Sequence, residues 1–422
     1  MQTPVPDYLA EILNDCNSND GGELADYIPE LAQADPNQLG VAITTLDGVT
    51  YSAGDDEVQF SIQSISKPFA YALAIEDRGL DAVLEVVGDE PTGDAFNEIS
   101  LEPDTGRPRN PMINIGAITT HSLVGAPGLD VAARFERARS GMSAFAGREL
   151  EVDDAVFESE VATGYRNTAL AYLVRARDKI SEDPGILVRE YTRQCSVLVS
   201  VRDLSVMAAT LANGGTNPVT GVQVVSPRAA RQVMSVMFTC GMYDAAGDWV
   251  SHVGIPAKSG VAGGIIGALP GQCGLGTFSP RLDSFGNSTR GVQLFERLSE
   301  DMGMHLMGTP PNALSVLRDQ VELVPGLDGP DARLVVVQGA VNFAGAEQVL
   351  RQLVELSPGG QEVILDVSRV ASIDNVGRRM VLEGMRRLGL DGHPLTLVDP
   401  EQMLPDPDTG GEPVRVVESL PG

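Results

Sequence analysis

The chain has 422 residues, 43% of them hydrophobic and 5% aromatic, a globular composition that argues against extended disorder. Its length exceeds that of a usual single domain, so two domains are expected. The formal net charge of −28 disfavours the phosphate backbone of nucleic acid and an anionic membrane surface as partners. It speaks mainly for solubility, and a saline cytoplasm is one explanation for it.

The N-terminal stretch MQTPVPDYLAEIL lacks a basic region followed by an apolar core, and no apolar run reaches membrane-spanning length, so a cytoplasmic protein is expected. From about Pro6 to Met307, helical patterns alternate with short apolar strands. The stretch LGVAITTLDGVTYSAGD reads as a hairpin around Asp47-Gly48. After it comes QSISKPFAYALAIEDRG, a helix closing at Gly79. Further helices are expected over Leu129 to Met142, Asn167 to Ile180 and Val201 to Asn213, the last stopped by Gly214-Gly215. The glycine-rich stretch WVSHVGIPAKSGVAGGIIGALPGQCGLGTFSP reads as a strand pair. Strands at both ends with a helical middle indicate an α+β domain over residues 1–308.

Pro and Gly in LMGTPPNAL and LVPGLDGPDA mark a seam. Beyond it, ARLVVVQGAV, QEVILDVS and PLTLVD are buried-type strands alternating with GAEQVLRQLVELS and GRRMVLEGMRRLGL, which have helical spacing. That alternation predicts a small α/β domain over residues 312–422.

Chemistry-bearing residues are sparse. Cys16, Cys195, Cys240 and Cys273 lack metal-ligand spacing and read as free buried thiols. The four histidines, His121, His252, His305 and His393, fall in no serine-rich constellation, which disfavours a Ser-His-Asp hydrolase. Of the 30 basic residues only Lys67, Lys179 and Lys258 are lysine. Arginine cannot give up its proton near neutrality and a desolvated lysine can, so lysine positions are informative here.

Two of the three fall in one arrangement. Ser64-Ile65-Ser66-Lys67 at a helix entrance puts a hydroxyl and an amine on one helical face, and the helix dipole there favours an emerging alkoxide. A neutral Lys67 would complete an acylating dyad. The plain reading is a capping serine beside an exposed lysine. Lys258-Ser259-Gly260 matches the K-[ST]-G strand opposite the nucleophile in Ser-Lys acyl transferases, its glycine leaving room for substrate.

GGELADYIPELA, FSIQSISKPF, GRPRNPMINIGAI, ESEVATGYRN and HVGIPAKSGVAGGI together resemble, in order, the motif series of the serine-dependent glutaminases. The resemblance covers about residues 8 to 307 and implies a β-lactamase-like α+β catalytic domain. It makes Ser64 the nucleophile and Lys67 its base. Asn114, Glu160, Asn167, Tyr191, Tyr243 and Val261 match substrate-binding positions, and Tyr27 and Gln63 lie in matching motifs. Backbone N–H groups of Ser64 and Val261 would receive the oxyanion.

A glutamine substrate carries an ammonium, a carboxylate and a neutral amide, which suits one carboxylate (Glu160) with several amide and phenol groups. Each position also has a plain reading: Asn114 closing a turn after Pro111, Asn167 capping a helix, Tyr191 and Tyr243 as half-buried core. Tyr165-Arg166-Asn167 also reads as the Y-x-N motif of penicillin-recognising enzymes. Either Lys67 or Tyr243 would protonate the departing ammonia. Lys67 works as a base only if desolvation or a neighbouring positive charge lowers its pKa, and Lys258 is the obvious such neighbour.

QGAVNFAGAEQVLRQL and VILDVSRVASIDNVGRRMVLEGMRRL resemble a STAS (anti-sigma-factor antagonist) domain over about residues 312 to 420. Regulatory members offer a phosphorylatable hydroxyl after the aspartate. Here Asp374 is followed by Asn375, Val376 and Gly377, so a phosphate switch is not expected and docking, oligomerisation or ligand binding remain. No metal spacing, phosphate loop or nucleotide fingerprint occurs, and no cofactor is implied. The expectation is a homo-oligomeric glutaminase acting on L-glutamine. Alternatives are a β-lactamase-like or peptidase-like acyl transferase, and a regulatory protein that only senses glutamine.

Overall fold

The hairpin around Asp47-Gly48 forms as read: β1 (Gly40–Thr45) pairs antiparallel with β2 (Thr50–Gly54), and the Thr45 hydroxyl donates to the Asp47 carboxylate across the turn. The structure is a computed structural model that describes residues 5–26, 28–92, 98–308, 316–317, 322–326, 331–356, 360–407 and 413–420. A short antiparallel pair, β3 (Phe60–Ser61) and β4 (Leu198–Val199), comes next. The glycine-rich stretch holds three strands instead of two: β5 (Ala257–Ser259), β6 (Gly264–Leu269) and β7 (Cys273–Phe278). The reason is local: Gly260 N–H donates to Gly264 O across a turn in which Gly263 has φ +102°, which adds a hairpin ahead of the expected one. The sheet runs β2-β1-β7-β6-β5, with every neighbouring pair antiparallel.

Successive side chains on a strand face opposite sides, and here both sides are buried. Ala42, Ile266, Ala268 and Phe278 join the core with the helices Ser66–Arg78 and Val201–Ala212. Val41, Ile43, Ile265 and Leu275 pack with the helices Val5–Cys16 and Thr289–Met302. The Val201–Ala212 helix lies directly on β7: a Cβ at Gly274 would fall 2.0 Å from the Ala209 nitrogen, so only glycine allows that approach.

Two helix boundaries differ from the expectation. The helix expected from Leu129 spans Val131–Ala146, because the Asp130 side chain caps it by accepting from Ala133 N–H at 2.9 Å. The helix expected from Asn167 spans Tyr165–Arg175, and Asp178, with φ +55°, lies in the left-handed region just past its end. The Ser66–Arg78 helix closes at Gly79 as expected.

The chain divides into two compact units, 1–308 and 309–422. In the second, the parallel strands β9 (Ala332–Val341), β10 (Val363–Ile373), β11 (Leu395–Val398) and β12 (Arg415–Val417) carry β8 (Glu322–Val324) antiparallel at the β9 edge. The helices Phe343–Leu356 and Asn375–Leu390 contribute Val349, Leu353, Val381, Met385 and Leu388 to its core. Asp374 caps the second helix, accepting from Gly377 N–H at 2.6 Å, so Asn375 and Val376 lie in its first turn. Among the described residues, no helix is long and apolar enough to cross a membrane.

Candidate active site

Ser64 sits in a 3-10 turn, Gln63–Ile65, that runs into the Ser66–Arg78 helix, so it precedes the α-helix instead of belonging to it. The turn is anchored by Ile62 N–H donating to Val197 O at 2.7 Å. Gln63 is buried with φ +51°, a left-handed conformation that costs about 1 kcal/mol or more in a non-glycine residue and clusters at functional sites. Gln63, Ile65, Ser66 and Lys67 are buried while Ser64 is partly exposed, so the turn presents that hydroxyl.

β5 closes on this turn. A Cβ at Gly260 would meet Ile62 O and Ile65 Cγ1, each at 3.1 Å, so the bare glycine of Lys258-Ser259-Gly260 makes room for the Ser64 turn itself. The sequence assigned that room to a substrate; packing of the Ser64 segment is what occupies it. Val261 follows in the tight turn to β6 and packs against Ala25 and Leu282.

Tyr243 opens a 3-10 turn, Tyr243–Ala245, with φ +53°. Its hydroxyl donates to Ser259 O at 3.0 Å and is hydrogen-bonded to the Ser64 side chain. With its own proton committed to Ser259, the phenol oxygen accepts from Ser64. Burial pushes the Tyr243 pKa well up, so the phenol keeps its proton near neutrality. A cavity of about 440 Å³ borders this side, lined among others by Tyr243, Asn110, Met112 and Cys240.

Lys67, 1% exposed, donates to Asn114 Oδ1 at 2.7 Å and to Met112 O at 3.2 Å. Desolvation brings its pKa down from about 10.5 to about 8. Lys258 is not the cause. It is fully buried, donates to Ser259 O at 2.7 Å and Gly241 O at 3.0 Å, and stands 4.1 Å from the Tyr243 ring centre. Burial, and then the Lys67 charge, lower the Lys258 pKa well below its ordinary value. The lowering of Lys67 comes from its own burial, and Lys258 is the group on which the other lysine's charge acts.

Asn114 opens the Asn114–His121 helix and donates through Nδ2 to Asn167 Oδ1 at 3.1 Å. Asn167 lies inside the first turn of its helix, not at the cap. Tyr165 is 81% exposed, which removes its half of the Y-x-N reading and leaves Asn167 as the inward member. Asn110, the first asparagine of NPMIN, is fully buried and braces this corner by accepting from Met112 and Ile113 N–H at 3.0 and 3.3 Å.

On the other side Gln63 Nε2 donates to Glu160 Oε1 at 2.6 Å. Desolvation pushes the Glu160 carboxyl up to about 7, Gln63 offsets part of this, and the Glu30 carboxylate adds to it. A carboxyl so placed is poised to take a cation. Tyr191 is buried and electrostatically coupled to Glu160 and Tyr243. The structure thus gathers Ser64 with Tyr243, Lys67 with Asn114 and Asn167, and Gln63 with Glu160. Tyr27 lies outside the described residues.

Three contributors escaped the sequence reading. The carbonyls of Met112 and Ser259 carry no side-chain signature. Cys195 was read only as a buried thiol, which it is, yet it is hydrogen-bonded to Tyr191. Of the other thiols Cys16 and Cys273 are buried, while Cys240 is only partly so. Lys179, the third lysine, lies past the helix, half-buried, and donates to Glu85 O at 3.2 Å.

The glutaminase family model matches residues 22–307, and the model described as Mlab, STAS domain matches residues 327–406. A glutaminase of Corynebacterium efficiens is 49% identical over 408 residues, covering 97% of this chain and 95% of that protein. One of Corynebacterium glutamicum is 49% identical over 406 residues, covering 96% and 97%. The crystal structure of Mglu superposes with a TM-score of 0.86 at 48% identity, over 96% of this chain and 100% of that one. Mglu in its L-glutamate binding form in the presence of 4.3M NaCl gives a TM-score of 0.85 at 42% identity, over 96% and 100%. The chain therefore belongs to the glutaminase family, as an enzyme that hydrolyses glutamine and carries a C-terminal STAS domain.

Proposed function

We propose that L-glutamine is hydrolysed to L-glutamate and ammonia through a γ-glutamyl ester on Ser64, with Lys67 as the base. The observation that carries this reading is the state of Lys67, a buried amine lowered to about 8 one turn beyond Ser64. A neutral amine has two N–H bonds, and both are spent on Asn114 and Met112, which leaves its lone pair to accept a proton.

In the first step the Ser64 proton passes to Lys67 while Oγ attacks the γ-carbon. N–H groups of Ser64 and Val261 receive the oxyanion, a role consistent with the closure of β5 on the Ser64 turn. Lys67 then returns the proton to the leaving nitrogen, and ammonia departs. Water attacks the ester and gives a proton to Lys67, Lys67 passes it to the departing Ser64 Oγ, and glutamate leaves with both groups restored.

The amino-acid end is fixed by charge and hydrogen bonding. Glu160, ionised opposite the α-ammonium, is the cation site. Asn114 Oδ1 is held by Lys67, which turns its amide toward Asn167 Oδ1, and the Asn167 amide then presents donors to the carboxylate. Tyr191 adds a further donor. The L-glutamate binding form of Mglu is in keeping with an amino-acid pocket in a close relative.

Steady-state ammonia release from glutamine and from asparagine tests the reading. A fixed amino-acid end puts the asparagine carbonyl one methylene short of Ser64, and a misplacement of about 1 Å costs on the order of 100-fold. Comparable efficiency on the two amides would overturn it.

A further inference from the structure

Lys258, on β5, is a fully buried amine to which the steps above give no task. Its contacts converge on Tyr243. Nζ donates to Gly241 O, two residues before the tyrosine, at 3.0 Å and to Ser259 O at 2.7 Å. Ser259 O is also the acceptor of the Tyr243 hydroxyl, at 3.0 Å, and Nζ stands 4.1 Å from the centre of the Tyr243 ring. The amine therefore holds the backbone ahead of Tyr243, lies against its ring, and shares the carbonyl that takes its proton.

The backbone gives this brace a reason. Tyr243 has φ +53°, a left-handed conformation that persists in a non-glycine residue only where its surroundings hold it. Gly241 comes so close to β5 that a Cβ there would fall 1.7 Å from Ala257 O, and that approach puts Gly241 O within reach of both Lys258 Nζ and the Ser259 N–H, the latter at 3.3 Å. A carbonyl oxygen has two lone pairs. Those of Ser259 O go to Lys258 and Tyr243, and those of Gly241 O to Lys258 and the Ser259 N–H. An amine has the two N–H bonds these contacts need whether charged or neutral, so the brace does not depend on the protonation state of Lys258. Since the Ser259 carbonyl can only accept, Tyr243 donates to it and meets the Ser64 hydroxyl with its oxygen. Among the described residues, Lys258 makes no hydrogen bond to Asn114, Glu160, Asn167 or Tyr191.

We propose that Lys258 is a positioning residue that sets the Tyr243 hydroxyl at the place where it holds the Ser64 hydroxyl, and so acts on the chemical step and not on the amino-acid end of the pocket. The proposal rests on the reading of Ser64 as the nucleophile.

The test compares Lys258→Met, Tyr243→Phe, their double variant and Ser64→Ala by steady-state ammonia release from glutamine and by calorimetric titration with L-glutamate. Methionine is unbranched like lysine and removes the N–H bonds. Ser259 O then keeps Tyr243 and Gly241 O keeps the Ser259 N–H, so neither carbonyl is left bare. The expected result is a kcat lowered about 10- to 100-fold in Lys258→Met, the scale of loss for a reacting group misplaced by up to about 1 Å. Glutamate should still bind at full stoichiometry. In the double variant kcat should lie within about twofold of Tyr243→Phe alone, because a residue that acts only through the hydroxyl has nothing left to act on. Full additivity of the two losses, or an unchanged kcat in Lys258→Met, would overturn the proposal. A kcat lowered only in proportion to lost glutamate sites would mean that Lys258 serves the fold alone, and would overturn it too. If Tyr243→Phe leaves kcat unchanged, the hydroxyl has no part in the step and the proposal falls, while the Ser64 reading stands. Turnover by Ser64→Ala would overturn the nucleophile reading and the proposal together. Should Lys258→Met not fold, Lys258→Gln, which keeps a donor at this position, replaces it in the same comparison, and additivity with Tyr243→Phe would again overturn the proposal.

Discussion

Lys67 Nζ donates to Asn114 Oδ1 at 2.7 Å, so the amine proposed as the base is held by a neutral amide and not by a carboxylate. An anion at that distance would stabilise the ammonium and undo the lowering that burial brings about. Asn114→Asp is the direct probe. It is expected to raise the Lys67 pKa by about 1 to 3 units, and to move the rising limb of kcat/KM to higher pH by at least about one unit. A pH profile that superposes on wild type would show that Lys67 does not titrate in the rate.

Wild-type kcat/KM should rise with pH between about 6 and 8 and level off above. Glu160, pushed up to about 7, must lose its proton to face an ammonium, and Lys67, lowered to about 8, must lose its own to act as base. Both changes run in the same direction, so the slope of log kcat/KM should exceed one at the acid end. A profile that is flat or falling across this window would contradict the assignment of both groups.

Charge-conserving substitution separates base from cation. Lys67→Arg keeps the charge and removes the ability to accept a proton, and should lower turnover about 100- to 10,000-fold. Lys179→Arg should be nearly silent, since the Lys179 hydrogen bond to Glu85 O is one a guanidinium can also make. Ammonia release after circular dichroism confirms folding is the measurement. A folded Lys67→Arg retaining more than about a tenth of wild-type turnover would hand the role to another group.

The chemistry is assigned to the first unit, since every residue placed at the site precedes residue 309. A chain ending at residue 308 is expected to retain substantial glutaminase activity. If that chain folds and assembles as the full chain does yet releases no ammonia, the second unit contributes to the site.

Local signals were legible in the sequence where a single residue decides the backbone: the Asp47-Gly48 turn and the Gly79 stop are where the structure has them. The alternating apolar runs after the seam became β9, β10 and β11 because buried parallel strands carry their own composition. The extra strand β5 was missed because its turn depends on Gly263 adopting a positive φ, and several neighbouring glycines could have done so. At the site, residue types were visible but the partners were not. Nothing in the sequence says that Lys67 and Lys258 are both buried with lowered pKa values; that is set by the packing of β5 on the Ser64 turn, which brings residues about 200 positions apart together. The buried contacts of Gln194 with His121 and with Ser66 were invisible for the same reason, since three helices must meet before those hydrogen bonds exist.

Quench-flow of the enzyme with one equivalent of glutamine, followed by digestion and mass analysis of the peptide containing Ser64, reads the covalent step itself. A γ-glutamyl adduct should form on Ser64 within the first turnover, decay as glutamate appears, and be absent from Ser64→Ala. Complete conversion of glutamine in a single turnover, with no label on Ser64 at any time point, would contradict the ester intermediate and require direct attack by water.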